Sequence, residues 1–213
     1  RRRHTRYGTV TGVQTCALPI YPVLVLQARA VEIEEVHKHD LYVEVDVQQC
    51  YDRTGRAPIT VRWVDINKGD EENPEYRSRL VAREIKRDGR LDLFAATPPL
   101  EALRWQLSMA RTSRADGKIL KVSFIDVRRA HWCAVARREV YVELCEEEGG
   151  PSSKSGKCGL LRKSMYGTRD AAQNWEETYT AALKDLGFVV GLSSPCFFYQ
   201  PLRDISTDRK STR

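Results

Sequence analysis

The sequence predicts an α+β fold, and three features carry that expectation. Period-two alternation marks strands at 41–47, 59–66 and 138–144, while apolar residues at helical spacing mark helices at 26–39, 101–114 and 170–186. The stretches 59–66 and 76–86 flank a polar turn rich in Asn, Asp, Glu and Pro, the pattern of an antiparallel hairpin with a long tip. At 41% hydrophobic and 30% charged residues, the composition is that of a globular chain with a core. No apolar run approaches the roughly 20 residues of a membrane span, so no membrane partner is expected.

The formal charge of +6 would point to nucleic acid only if the termini were native. Residues 10–20 read as a translated sequencing-adapter oligonucleotide, and residues 208–213 as the translation of the reverse complement of its end. Residues 1–7 match the outer part of the same primer. Two protein termini have no physical reason to encode complementary strands of one oligonucleotide. Residues 1–20 and 208–213 are therefore set aside, as a tag would be. Without them, 21–207 is formally neutral, and basicity argues only through local clusters.

The same exclusion disposes of an apparent secretory leader, an arginine-rich start followed by an apolar stretch and Ala28-Arg29-Ala30. Its apolar core crosses the adapter junction and holds two prolines. An intracellular location is expected instead. The six cysteines are scattered with no Cys-x-x-Cys pair, which predicts free thiols, no zinc site and no disulfide-linked partner.

In chain order, the helix at 26–39 would bury Leu26, Ala30, Ile33 and Val36. His37 and His39 beside Glu34 and Glu35 suit a solvated face better than a metal, because positions i and i+2 diverge on a helix. A strand at 41–47 and a turn region at 52–58 follow. The return strand of the hairpin carries Arg77, Arg79, Arg83, Lys86, Arg87 and Arg90, interrupted by Glu84 and Asp88. Arginines at i and i+2 on a strand share a face, suited to tracking phosphates or gripping a triphosphate. The plainer alternative is a charged edge that keeps other strands away.

Pro98 and Pro99 open the helix at 101–114, with Leu100, Leu103, Leu107 and Ala110 on one side. Residues 146–157 are polar and Gly/Ser-rich, which predicts a mobile loop. Its Gly156-Lys157 pair lacks the first glycine and the Ser or Thr of a phosphate-binding loop. The helix at 170–186 has a capping pair in Asp170 and Gln173 and a buried stripe of Ala171, Trp175, Tyr179, Ala182 and Leu186, with Gly187 to end it. Short strands at 188–190 and 196–199 close the chain.

Midway lies 119–125, which predicts a half-buried strand with Leu120, Val122 and Phe124 on one face and Asp126 at its exit. A carboxylate on a rigid element yet open to solvent suits a divalent metal. The bland alternative is a residue that starts a turn.

The order of elements resembles the reverse transcriptase domain of Ty1/copia-type retrotransposons. The matching pieces are Arg62-Trp63-Val64-Asp65, 76–83, 94–101, Ile125-Asp126-Val127-Arg128-Arg129-Ala130, 140–144, 161–175, Leu186-Gly187-Phe188 and Ser194-Pro195-Cys196. The resemblance implies a partial right-hand polymerase, with β-rich fingers and an incomplete palm of antiparallel sheet backed by helices. Fingers would occupy 21–100 and partial palm 101–207, with a fingers insertion at about 136–160. It also implies nucleotidyl transfer by two magnesium ions in the complete enzyme, with RNA/DNA primer–template and dNTPs as partners.

On that resemblance Asp126 is catalytic and a metal ligand. Val127 and Arg128 approach the triphosphate, and Ala130 and His131 lie under the incoming sugar. Arg77, Arg79 and Arg83 meet nucleotide or template, and Gly167 sits beside the nascent base pair. Two departures stand out. His131 occupies a place where the family has a bulky aromatic, and the Tyr-x-Asp-Asp motif expected after Tyr199 is absent. One aspartate cannot supply a two-metal clamp, so the polypeptide as written is expected not to polymerise. The alternative to an enzyme fragment is a catalytically dead retroelement fragment that binds nucleic acid weakly.

Overall fold

The computed structural model describes residues 22–85, 99–112, 117, 120–192 and 194–208. Helix α1 (Pro22–Lys38) starts earlier than expected and buries Val25, Glu32 and Val36, leaving Leu26 and Ala30 exposed. The buried stripe is rotated because two charged residues on it find partners. Arg29 donates to both oxygens of Asp65, at 3.2 and 2.7 Å, and lies 5.3 Å above the Trp63 ring. Glu32 meets Arg129 at 2.8 Å.

Strand β1 (Tyr42–Asp46) is followed by helix α2 (Val47–Thr54), where the sequence suggested a strand end and a turn. Asp46 caps α2 by accepting the Gln48 N–H at 2.7 Å, and Gly55, at φ +64°, donates its N–H to the Tyr51 carbonyl at 2.8 Å. The hairpin forms as expected. β2 (Val61–Asn67) and β3 (Tyr76–Ala82) pair antiparallel from Val61↔Ala82 to Asn67↔Tyr76.

β1 is also the edge of a second sheet, in the order β1-β5-β4, with β4 at Tyr141–Val142 and β5 at Lys157–Leu161. The stretch expected to be a mobile loop is tied down between them. Glu147 accepts from Trp63 Nε1 at 3.1 Å and Glu148 meets His37 Nε2 at 2.6 Å. Glu143 accepts from the Ser152 hydroxyl at 2.8 Å, at the start of the single-turn helix α4 (Ser152–Ser155). The charges that made this segment read as solvated are satisfied by protein. Val36, Leu41, Leu80, Trp132, Val142 and Met165 form one buried cluster, so the core joins residues from both sides of position 100.

Helix α3 (Leu100–Arg111) buries none of its residues, and its Trp105 ring meets Phe197 edge-on at 5.4 Å. Helix α5 (Ala171–Asp185) forms where expected, with a different cap and stripe. The Asp170 carboxylate accepts from Arg138 and Asn174 rather than capping the helix, the buried positions are Ala171 and Asn174, and Ala182 and Leu186 are exposed. Its end is as read from Gly187. At φ +83° Gly187 donates to the Lys184 carbonyl at 2.9 Å, and Phe188 donates to Leu183 at 3.0 Å.

The two short strands form as β6 (Val189–Val190) and β7 (Phe197–Gln200), joined by β8 (Ile205–Asp208) in the order β6-β7-β8. Of residues 208–213 only Asp208 is described, and 1–20, Lys86, Arg87 and Arg90 lie outside the described residues. Among the described residues, no helix is long and apolar enough to cross a membrane, and Cys50, Cys133, Cys145, Cys158 and Cys196 are free thiols.

Candidate nucleotide and template face

Alternation along β3 sorts its side chains. Ser78, Leu80 and Ala82 are buried, whereas Arg77, Arg79 and Val81 occupy the other face. Tyr166 lies against that outer face. The Arg79 guanidinium carbon is 5.5 Å from the centre of its ring, and the rings of His131 and Trp132 are 4.9 and 6.1 Å away.

Tyr166 accepts the Ala82 N–H at 2.8 Å through its backbone carbonyl. Gly167 follows at φ +86°, where a Cβ would collide with the Ala82 carbonyl oxygen. The missing side chain thus lets the 165–168 turn seat on the end of β3. Arg79, His131 and Gly167, far apart in sequence, meet around one tyrosine.

Burial holds the His131 imidazole below its ordinary pKa and so favours the neutral ring. Its Nδ1 is buried with no hydrogen-bond partner among the described residues. Burial likewise pushes the Tyr166 hydroxyl up, with the positive charge of Arg79 pulling partly the other way.

His131 sits in a 3₁₀ turn (Ala130–Cys133) whose entry is fixed by Arg129, at φ 48° and ψ 44°. This left-handed conformation costs a non-glycine residue roughly 1–2 kcal/mol. Arg129 is held there by a fork onto α1, to Glu32 at 2.8 Å and Glu35 at 3.1 Å, and by packing 5.2 Å from the Trp132 ring centre. Sequence reasoning did not single out Arg129. The pattern that could have found it is Glu32 and Glu35, three apart and hence on one helical face, inside an otherwise apolar stripe.

A second network was also missed. Arg138 donates to Glu84 at 2.9 and 2.5 Å and to Asp170 at 2.8 Å, while the Arg169 N–H donates to Glu84 at 2.8 Å. Glu84, which interrupted the basic patch in sequence, is thereby used elsewhere. Burial would raise the Asp170 pKa, but the hydrogen bond and charge of Arg138 outweigh it and hold the carboxyl below the usual range.

The largest correction concerns the half-buried strand expected at 119–125. Residues 120–127 form no strand, Phe124 is 82% exposed and Ile125 89%, and Asp126 is exposed with Val127 and Arg128 beside it. The run has the composition of a sheet strand, but none of the described residues pairs with it. Arg83 is exposed at the end of β3, its N–H donating to the Thr60 carbonyl at 2.8 Å. Ala130 is buried beneath this surface. Among the described residues no three His, Cys, Asp or Glu side chains gather to hold a metal ion. One exposed carboxylate does not meet the demands of a divalent cluster.

The comparisons give this arrangement its class. The family described as reverse transcriptase (RNA-dependent DNA polymerase) matches residues 47–198, and the chain belongs to it. More particularly, over 180 residues it is 25% identical to the retrovirus-related Pol polyprotein from transposon TNT 1-94 of Nicotiana tabacum, covering 82% of this chain. The copia-type resemblance read from the residues is borne out. The chain spans 13% of that relative's length. No solved structure matches.

Proposed function

We propose that this chain is the fingers and part of the palm of an RNA-directed DNA polymerase of a copia-type retroelement. The observation that carries the proposal is the convergence of Arg79 with Tyr166, His131 and Gly167, with Arg77 on the same outer face of β3. A row of guanidinium groups beside stacked rings suits phosphates and bases together. Fingers at 21–100, partial palm at 101–207 and an insertion at about 136–160 are supported by the pairing of β1 with β5 and of β5 with β4.

In this proposal Arg77, Arg79 and Arg83 meet the phosphates of template or dNTP, and the backbone of Val127 and Arg128 faces the triphosphate. Ala130 and His131 lie under the sugar, and Gly167 leaves room beside the nascent pair. Asp126 contributes one carboxylate to the two-magnesium centre of the complete enzyme. This chain alone binds primer–template without extending it. Residues 1–20 and 208–213 are translated adapter.

The test is fluorescence anisotropy with a labelled RNA/DNA primer–template over a salt series, alongside primer extension with magnesium and dNTPs. Affinity should fall log-linearly with salt, and each of Arg77→Ala and Arg79→Ala should flatten the slope by roughly 0.7–0.9 for one lost phosphate contact. Salt-independent binding, or sustained incorporation abolished by Asp126→Ala, would refute the proposal.

A further inference from the structure

Helix α2 buries a single residue, Cys50, against the sheet of β1 and β5. On that sheet Val45 and Cys158 are directly paired across the strands and so share a face. Cys50 and Cys158 are free thiols, 1% and 0% exposed, in one buried cluster with Tyr141.

Their surroundings differ. The Cys50 thiol donates to the Arg56 carbonyl at 3.3 Å and lies 3.7 Å from the Thr54 hydroxyl. A thiol hydrogen bond joins the two sulfurs. Burial raises both thiols, but the Thr54 hydroxyl and the bond from Cys158 pull Cys50 back. Burial and the neighbouring Cys50 sulfur push Cys158 up to about 11. Cys50 therefore ionises first and is the nucleophile of the pair.

We propose that Cys50 and Cys158 form a peroxide-sensitive redox pair whose disulfide ties α2 to β5. The Cys50 thiolate attacks one oxygen of hydrogen peroxide, the O–O bond breaks, hydroxide leaves and Cys50 becomes a sulfenic acid. The Cys158 thiolate then attacks the Cys50 sulfur, forming the S–S bond as the S–O bond breaks and a second hydroxide leaves. Each hydroxide takes up the proton that one thiol gave up, so two electrons pass from sulfur to peroxide and two waters form. Access comes from α2 itself, because a short helix anchored by one buried residue opens locally. Once closed, the link encloses residues 51–157, with the β2–β3 hairpin, Arg79 and His131 among them, and restricts the unfolded chain. The pair does not rest on the polymerase reading, and its test involves no nucleic acid.

Peptide mapping of the full chain tests it. After hydrogen peroxide, alkylation and tryptic digestion without reductant, residues 39–53 and 158–162 should be recovered as one cross-linked species that dithiothreitol separates. In Cys158→Ser, Cys50 should remain a sulfenic acid that dimedone labels, and in Cys50→Ser, Cys158 should remain a free thiol. Oxidation of the unaltered chain should lower the unfolded-to-folded ratio at a given urea concentration about tenfold or more, and dithiothreitol should restore it. The mapping and urea readouts use the unaltered chain, so they decide the matter even where a variant fails to fold. No link between Cys50 and Cys158, the same mixture of pairings with and without urea, a sulfenic acid on Cys158 instead of Cys50, or unchanged resistance to urea would overturn the inference.

Discussion

Gly167→Ala offers the sharpest test of how the candidate face is assembled. At φ +86° an alanine incurs roughly 1–2 kcal/mol of backbone strain. Its methyl group would also run into the Ala82 carbonyl oxygen, and backbone cannot swing aside as a flexible side chain can. Relief requires the turn to lift from β3, breaking the 2.8 Å bond from the Ala82 N–H to Tyr166 at about 0.5–1.5 kcal/mol. Displacing the fully buried Met165 and its neighbours costs about 1–3 kcal/mol more, as overpacked cores do. The total is about 2.5–6.5 kcal/mol, a large share of the roughly 5–15 kcal/mol that keeps a domain folded.

Urea denaturation followed by tryptophan fluorescence reads the difference, with Gly55→Ala as the control. Gly55 is also left-handed, at φ +64°, but a Cβ there meets nothing within 4 Å, so only the strain of about 1–2 kcal/mol applies. Equal losses in the two variants would refute the claim that Gly167 exists for close approach to β3. A stable Gly167→Ala chain with impaired primer–template binding would place the need for glycine at the nucleic acid instead.

The remaining predictions concern buried charge. Arg138→Met strands Glu84 and Asp170 without their cation and should cost about 3 kcal/mol in the same urea experiment. Because the Asp170 carboxyl is depressed in the folded state, its contribution is present above the ordinary carboxyl pKa and lost as pH falls through the lower folded value. The unaltered chain should therefore lose stability steeply below about pH 4, and Arg138→Met less steeply. His131 titrates on the other side. As a base with a depressed folded pKa, it leaves stability whole above the ordinary histidine pKa and erodes it as pH falls below about 6.5 towards the folded value. His131→Phe should flatten the stability profile as pH falls below about 6.5, and an unchanged slope there would show that the ring is solvated.

What the sequence disclosed followed from local chemistry. The hairpin of β2 and β3, α5 with its Gly187 ending, and the two short strands near the end were legible because alternation, helical spacing and turn residues act within a few positions. Helix α2 was lost because Val45-Asp46-Val47 continues an alternating pattern, and only Asp46 as a cap marks the switch. The rotated stripe of α1 and the anchored 146–157 segment were illegible for a different reason. Arg29, Glu32, Glu147 and Glu148 count as solvated by composition, and the partners that bury them lie between 36 and 118 positions away.

The site divides along the same line. That Arg77 and Arg79 share a face is a statement about one strand, and the structure agrees. That Arg79 meets His131 and Gly167 across Tyr166 is a statement about three segments, reached only through family resemblance. Asp126 shows the converse. Its run of β-branched and aromatic residues encodes a readiness to pair, but half-burial belongs to a pair of strands rather than to one. With Phe124 and Ile125 both in solvent, none of the described residues meets that readiness, and the carboxylate that follows them is left exposed.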